Sequence, residues 1–142
     1  MNFQTELESY IRAGYPILYV TALEPVRAST AIEKVCEGIS GGLSCHIWKI
    51  TNGWDNTGQG DDPDEVFSAI DKFSNNSVSI LCNYHAFIGE NPDPVRVQLV
   101  MDAYNRWKGK GFNRTVIILS PIYKIAPELE RFVQNLTYTL PD

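Results

Sequence analysis

Short, densely apolar segments alternate along this chain with longer segments in which apolar residues recur every three or four positions. The first pattern is typical of buried strands, and the second of helices that pack by one face. Strands are predicted at Pro16–Thr21, Ser44–Ile50, Ser77–Asn83, Thr115–Leu119 and Leu136–Leu140. Helices are predicted at Phe3–Ala13, Pro25–Glu37, Pro63–Phe73, Pro94–Lys108 and Pro127–Val133. The alternation predicts a three-layer α/β sandwich, with helices on both faces of a mostly parallel sheet.

Turn and capping residues mark the boundaries of these elements. Thr5 and Glu8 have the spacing of a capping box at the first helix, and Gly14 is placed to end that helix. Two polar stretches, Thr51–Asp62 and Tyr84–Asp93, contain the residues that favour turns. Both stretches are predicted to be loops.

The composition is that of one folded domain. A length of 142 residues, of which 44% are apolar and 20% charged, is enough for one core and short for two. Residues 1–142 are therefore predicted to form a single domain. The net charge of -5 repels phosphate backbones and anionic lipids, which makes nucleic acid an unfavourable partner.

The cysteines and the apolar runs bear on metal binding and location. Cys36, Cys45 and Cys82 form no C-x-x-C pair, so no metal centre is predicted, and their odd number fits reduced thiols in the cytoplasm. The first residues lack the basic and apolar regions of a secretory signal. Apolar runs such as Ile17–Val20 are far shorter than the roughly 20 residues that cross a bilayer, so no membrane association is expected.

The segment after the first strand is where a phosphate-binding loop is expected. Such a loop needs glycines that let the backbone wrap around phosphate oxygens, and a lysine that balances their charge. This chain has no glycine between Gly14 and Gly38 and no lysine before Lys34. The segment contains Glu24, Pro25, Arg27, Ser29 and Thr30. Because the Glu24 carboxylate repels phosphate, we predict a degenerate phosphate-loop region and no nucleotide cofactor.

The end of the third predicted strand lacks a second requirement for nucleotide hydrolysis. Hydrolases of this layout place acidic side chains there to hold magnesium and activate water. This strand is followed by Asn83, Tyr84 and His85, so no metal ion and no ATPase activity are predicted for the chain itself. His85 nevertheless lies where open α/β sheets bind ligands. The alternative is a small-ligand or nucleotide-binding protein, or a hydrolase, that uses this crevice.

A cluster of cations follows the long helix near the end of the chain. It consists of Arg106, Lys108, Lys110 and Arg114, interleaved with aromatic residues. Such a basic patch has the composition of a site for an acidic partner or for single-stranded nucleic acid. Cations at this position also complement the negative end of a helix, which is the simpler interpretation.

Four segments carry a resemblance to a known family. They are Glu6–Val20, Thr115–Pro121, Lys124–Glu130 and Leu136–Asp142. Their order resembles the AAA+ ATPase module, and most closely the degenerate amino-terminal module of a cyanobacterial and plastid-type AAA ATPase family. The resemblance covers nearly the whole chain. It implies an AAA+/RecA-like core, similar to P-loop NTPases, with five strands in the order 5-1-4-3-2, and it places Ser120 at the polar sensor position.

This resemblance also implies a function. The chain departs from an active module at the two positions described above, so it is expected to be a non-catalytic AAA+-like module. It would be either the amino-terminal regulatory or docking domain of a larger AAA ATPase or a free-standing adaptor derived from one. The implied partners are AAA+ ATPase modules or subunits, in cis or in trans, with oligomerisation as a further option. A parent protein would carry the ATPase activity.

Overall fold

One mixed sheet forms the middle of the molecule in a computed structural model that describes residues 2–39, 41–74, 76–108 and 114–139. Within those residues its strands are β1 Ile17–Thr21, β2 Ser44–Lys49, β3 Gly53–Trp54, β4 Ser77–Cys82, β5 Arg114–Ser120 and β6 Gln134–Thr137. Their order is β3-β2-β4-β5-β1-β6. Neighbouring strands are parallel except for the antiparallel pair of β2 and β3.

The predicted strands keep their expected relative order, but the sheet is wider than the predicted five strands. The additional strand β3 lies in the stretch Thr51–Asp62, which was expected to be a loop. Gly53 has a φ of 64°, and an added Cβ there would lie 2.1 Å from the carbonyl oxygen of Gln59. Only glycine fits this reversal of the chain. The reversal pairs Trp54 with Trp48 on β2, so the prediction of a purely five-stranded sheet was wrong.

The last strand also begins earlier than predicted. β6 starts at Gln134 because its four residues pair in register with Leu18–Thr21 of β1. The expected strand was Leu136–Leu140, of which Leu140 lies outside the described residues. The register of the parallel neighbour, rather than the local apolar pattern, sets the boundary.

The helices cover both faces of the sheet. They are α1 Phe3–Arg12, α2 Pro25–Gly38, α3 Val66–Lys72, α4 His85–Ile88, α5 Pro94–Trp107 and a 3-10 helix Pro127–Phe132. The short α4 was not predicted, since it lies in a stretch that was expected to be a loop. At α1 the cap is Asn2, whose side-chain oxygen accepts from the Thr5 amide at 2.8 Å, so the predicted cap at Thr5 was wrong. α3 begins three residues later than the predicted start at Pro63.

Alternate residues of the central strands point to two separate cores. Ile17 and Tyr19 pack towards α3, α5 and the 3-10 helix, whereas Leu18 and Val20 pack towards α1 and α2. The side chains of these four residues are at most 1% exposed. This burial on both faces explains why the β1 sequence is continuously apolar, and it gives the three layers that the sequence predicted.

Candidate functional site

The carboxyl ends of β1, β4 and β5 lie together at one edge of the sheet, which we call the carboxyl edge. The opposite edge, where these strands begin, is the amino edge. Open α/β sheets bind ligands at the carboxyl edge, outside the ends of the strands. The predicted phosphate-loop, strand-end and sensor residues all lie at the carboxyl edge.

The start of α2 forms the predicted degenerate phosphate-loop region. Glu24 occupies the cap position without a side-chain hydrogen bond to the helix, and Pro25 lies in the first turn. The Glu24 carboxylate lies 3.4 Å from Arg27 Nε in an exposed ion pair. The hydroxyls of Ser29 and Thr30 both donate to the carbonyl oxygen of Val26, at 2.9 and 3.1 Å. The polar groups of this helix start are thus bonded to one another.

Apolar side chains are exposed at the same place. Leu23 is 88% exposed and Val26 is 78% exposed. Beside Val26 lies a groove of about 420 Å³ between α2, the end of β2 and α4. We call it the apolar groove; its apolar lining is Pro25, Val26, Ile47, Ile50, Cys82, Ala86 and Phe87, joined by the polar residues Ser29, Lys49, Thr51, Asn56 and Asn83. The carboxyl edge therefore presents a largely apolar surface.

The residues after β4 have three different surroundings. Asn83 has a φ of 59°, its amide donates to the carbonyl oxygen of Leu119 at 2.8 Å, and the residue lines the apolar groove. Tyr84 is fully buried, and its hydroxyl donates to the carbonyl oxygen of Pro63 at 2.8 Å. Burial raises the pKa of the Tyr84 hydroxyl well above its ordinary value. Tyr84 is thus a core residue that does not face the groove.

His85 is the titratable group of the strand end. Its side chain is half-buried, and its Nδ1 atom has no hydrogen-bond partner among the described residues. Burial, followed by the nearby Lys124 ammonium, holds the pKa of His85 below its ordinary value. Lys124 is in turn paired with Glu90, and this pairing lowers the pKa of the Glu90 carboxyl. His85 therefore carries a largely neutral imidazole at pH 7.

The hydroxyl of the predicted sensor residue, Ser120, is hydrogen-bonded within the turn that follows β5. Ser120 is fully buried, its hydroxyl donates to the carbonyl oxygen of Ile122 at 2.8 Å, and it accepts from the Ile122 amide at 3.2 Å. The hydroxyl of Tyr19 also donates to the Ile122 carbonyl and accepts from the amide of Lys124. Two hydroxyls from neighbouring strands thus hold the turn after β5.

The predicted basic patch lies at the amino edge, where its described members have separate roles. Arg106 Nη2 lies 2.8 Å from Asp71, and the same carboxylate accepts from Trp107 Nε1 at 2.8 Å. Arg114 donates to the carbonyl oxygens of Ile70, Asp71 and Phe73 at the end of α3, at 2.8–3.1 Å. Lys108 Nζ lies 5.5 Å from the centre of the Tyr104 ring. Lys110 lies outside the described residues.

The apolar groove was not predicted from the sequence. One signal was available, because Val26 lies off the buried stripe of Ala28, Ile32 and Val35 on α2. An apolar residue off the stripe is exposed unless something covers it.

Among the described residues, no group of three or more His, Cys, Asp and Glu side chains is arranged to hold a metal ion. None of the described helices is both long and apolar enough to cross a membrane.

The geometry defines a three-layer α/β domain, and a solved structure shares its fold. The similar chain belongs to the structure of the E. coli MS115-1 HORMA:CdnC:Trip13 complex, with a TM-score of 0.53 and 12% sequence identity. The superposition covers 97% of this chain and 53% of that chain, so the present chain spans about half of its length. At this identity the similarity concerns the fold alone.

A family model matches nearly the whole chain. The model of the SpoVK-like AAA ATPase, N-terminal domain, matches residues 3–138. The chain therefore belongs to this family of AAA ATPase amino-terminal domains. The AAA ATPase part of the resemblance is confirmed, whereas a cyanobacterial or plastid type stays a prediction. No curated protein matches the chain.

Proposed function

We propose that this chain is a non-catalytic docking module whose apolar groove contacts an AAA ATPase module, either in the same polypeptide or in another subunit. The observation that carries the proposal is the exposed apolar surface around Val26, at the edge where a nucleotide would bind. Membership in a family of AAA ATPase amino-terminal domains supports the choice of partner. We further propose that residues 1–142 form one domain. We also propose that the protein resides in the cytoplasm, because its three cysteines are free thiols.

Covering the groove is energetically favourable. Removing a side chain of the size of Val, Leu or Phe from water contributes about 1.5–3 kcal/mol. Val26 is 78% exposed and Ile50 is 47% exposed, so a partner that buries them gains most of that free energy at Val26 and about half of it at Ile50. Exposed apolar patches next to polar groups are typical of protein interaction sites.

Nucleotide binding at this edge is unfavourable for three reasons. The Glu24 carboxylate at the start of α2 repels phosphate where the helix dipole would otherwise attract it. The hydroxyls of Ser29 and Thr30 are engaged by the helix backbone. Ser120 is engaged in its own turn. We therefore propose that the phosphate-loop region is degenerate and that the chain does not hydrolyse ATP.

Site-specific photo-crosslinking tests the docking proposal. A photoreactive residue replaces Val26 in the protein as expressed in its own cells, and the crosslinked peptides are identified by mass spectrometry. The matched control is the same residue at Tyr15, which is 43% exposed and precedes β1 at the amino edge. We expect crosslinks from position 26 to peptides of an AAA ATPase module, and none of these from position 15.

Two results would overturn the proposal. Crosslinks from position 26 that go only to proteins without an AAA module would remove the proposed partner. Hydrolysis of Mg-ATP by the purified chain that is lost in Arg27→Ala would show that the site is catalytic rather than degenerate.

The unpartnered Nδ1 of the half-buried His85 supports a second candidate, a small-ligand or nucleotide-binding site or a hydrolase at the strand end. Its neighbours Ala86 and Phe87 line the apolar groove, which would hold the apolar part of such a ligand. Saturable binding of ADP or ATP that is lost in His85→Ala and retained in His46→Ala would favour this candidate over docking.

A further inference from the structure

Two of the three cysteines lie next to each other. Cys36 is in the last turn of α2, and Cys45 is the second residue of β2. The amide of Leu43 donates to the carbonyl oxygen of Cys36 at 3.2 Å, which holds the start of β2 against the end of α2. Cys36 and Cys45 line one cavity of about 450 Å³. Cys82 does not line this cavity and lies instead in the apolar groove.

The two thiols interact directly. Hydrogen bonding from the Cys45 thiol lowers the pKa of Cys36, although burial and the carboxylates of Glu33 and Glu37 act in the opposite direction. The same hydrogen bond, together with burial, raises the pKa of Cys45. Cys36 is therefore the thiol that ionises first, and Cys45 is the proton donor beside it.

The backbone between the two cysteines has room to adjust. Among its described residues, Gly41 and Gly42 have φ values of 87° and 69°, and Gly38, Gly41 and Gly42 have no heavy atom within 4 Å of an added Cβ. A disulfide requires Cα atoms about 4.4–6.8 Å apart. A glycine-rich connection with open surroundings allows the backbone to bring the two Cα atoms into this range.

The geometry points to Cys36 and Cys45 as a thiol pair that hydrogen peroxide oxidises to an intrachain disulfide joining the end of α2 to the start of β2. The cavity opens beside the exposed residues Glu37 and Asp55 and is lined by the half-buried Cys45, so a peroxide reaches the pair through this cavity although Cys36 itself is only 1% exposed. A neutral peroxide is the fitting oxidant, because the carboxylates of Glu33, Glu37 and Asp55 repel anionic disulfides such as oxidised glutathione. This inference is independent of the docking function.

The reaction has two balanced steps. The Cys36 thiolate attacks one peroxide oxygen, so that an S–O bond forms, the O–O bond breaks, and the leaving hydroxide takes a proton to become water. The Cys45 thiol then loses its proton and attacks the Cys36 sulfur. The S–S bond forms, the S–O bond breaks, and a second water leaves. Two thiols are oxidised, and one peroxide is reduced to two waters.

Peptide mass mapping tests the site. The intact protein is treated with hydrogen peroxide, its remaining thiols are alkylated, and the chain is cut with trypsin. Cys36 and Cys45 share the tryptic peptide Val35–Lys49, whereas Cys82 lies in Phe73–Arg96, which serves as the internal control. We expect Val35–Lys49 to lose two hydrogen atoms and to escape alkylation, while Phe73–Arg96 remains alkylated.

Variants and pH sharpen the result. In Cys45→Ser, the peptide Val35–Lys49 is expected to gain oxygen rather than lose hydrogen, because the oxidised Cys36 has no second thiol with which to form a disulfide. In Cys82→Ser the intrachain bond should form as in the natural chain.

The oxidation rate should reach half of its maximum at a lower pH in the folded protein than in urea, since the pKa of Cys36 is lowered only in the fold. Retention of both alkylatable thiols, or a disulfide that involves Cys82 or a second chain, would overturn the inference.

Discussion

The two edges of the sheet differ in whether the residues that lie there are bonded or buried within the protein. At the amino edge, Arg106 and Trp107 share the carboxylate of Asp71, and Arg114 binds three carbonyl oxygens at the end of α3. At the carboxyl edge, Leu23 and Val26 remain exposed. Arg106 and Arg114 at the amino edge are thus bonded within the protein, whereas the carboxyl edge has uncovered apolar surface.

The difference shows which kind of residue indicates an interaction site in this chain. Clustered charges at an element's end are readily neutralised by helix termini and by neighbouring carboxylates, as at Arg114 and Asp71. An exposed valine has no such internal partner, and only burial by another surface removes it from water. In this chain, exposure of Val26 is a stronger indication of function than the charge of the segment after α5.

The largest expected effect is at the amino edge. Arg114→Met should lower the free energy of unfolding by about 2–3 kcal/mol, because three carbonyl oxygens lose charged hydrogen-bond donors. Urea unfolding measures the change. The control Arg106→Met removes an ion pair whose side chains are partly exposed, and it should cost about 0.5 kcal/mol. An effect of Arg114→Met no larger than about 0.5 kcal/mol would mean that its three hydrogen bonds contribute no more than an exposed ion pair.

A smaller effect is expected from the buried hydroxyls of the carboxyl edge. Ser120→Ala and Tyr84→Phe should each lower the free energy of unfolding by about 1 kcal/mol, since each removes a hydrogen bond within the protein. Thermal unfolding in the absence of ligand is the measurement. If Ser120→Ala leaves stability unchanged and instead weakens nucleotide binding, the hydroxyl has the sensor role rather than the turn-holding one.

His85 gives the carboxyl edge a pH dependence. Because its pKa is lowered in the fold, the unfolded chain binds more protons below about pH 6.5, and stability falls as the pH drops from there towards the folded-state pKa. Stability is complete above that range. His85→Asn should reduce the loss of stability between about pH 7.5 and about pH 5.5. An unchanged slope in urea unfolding at these two pH values would contradict the assignment.

The smallest effect on stability is expected at the exposed apolar residues. Leu23→Ser and Val26→Ser should change the free energy of unfolding by less than about 0.5 kcal/mol, because these side chains bury little surface in the isolated chain. Val20→Ser, in the preceding strand β1 and fully buried, is the matched control and should destabilise the protein strongly. A large loss of stability in Val26→Ser would show that the residue is covered within the fold.

The fold followed from local patterns to a large extent. Continuous apolar residues in β1 and the stripes on α2 and α5 predicted buried strands between helix layers, and the structure has them. Prediction failed where a local segment depends on a distant one. β3 exists because Trp54 pairs with Trp48, and β6 begins where β1 offers partners, so neither boundary is visible in its own segment.

The sequence predicted the position of the candidate site better than it predicted the hydrogen bonds there. No glycine or lysine lies between the start of β1 and the first turn of α2, and no carboxylate follows β4 directly, so the sequence placed the candidate site at the carboxyl edge. Which atoms there are engaged was not accessible, because the partners of Ser120 and Tyr84 are backbone carbonyls that any sequence provides. The contact between Cys36 and Cys45 likewise depends on the packing of α2 against β2.

By itself the sequence determined the alternation of strands and helices and the lack of glycine and lysine directly after the first strand, because these depend on residue type and spacing along the chain. Only the tertiary structure decided that Arg106 and Arg114 are engaged, that Ser120 is enclosed in its turn, and that Leu23 and Val26 are exposed. The physical reason is that burial and hydrogen bonding are properties of groups brought together from distant parts of the chain.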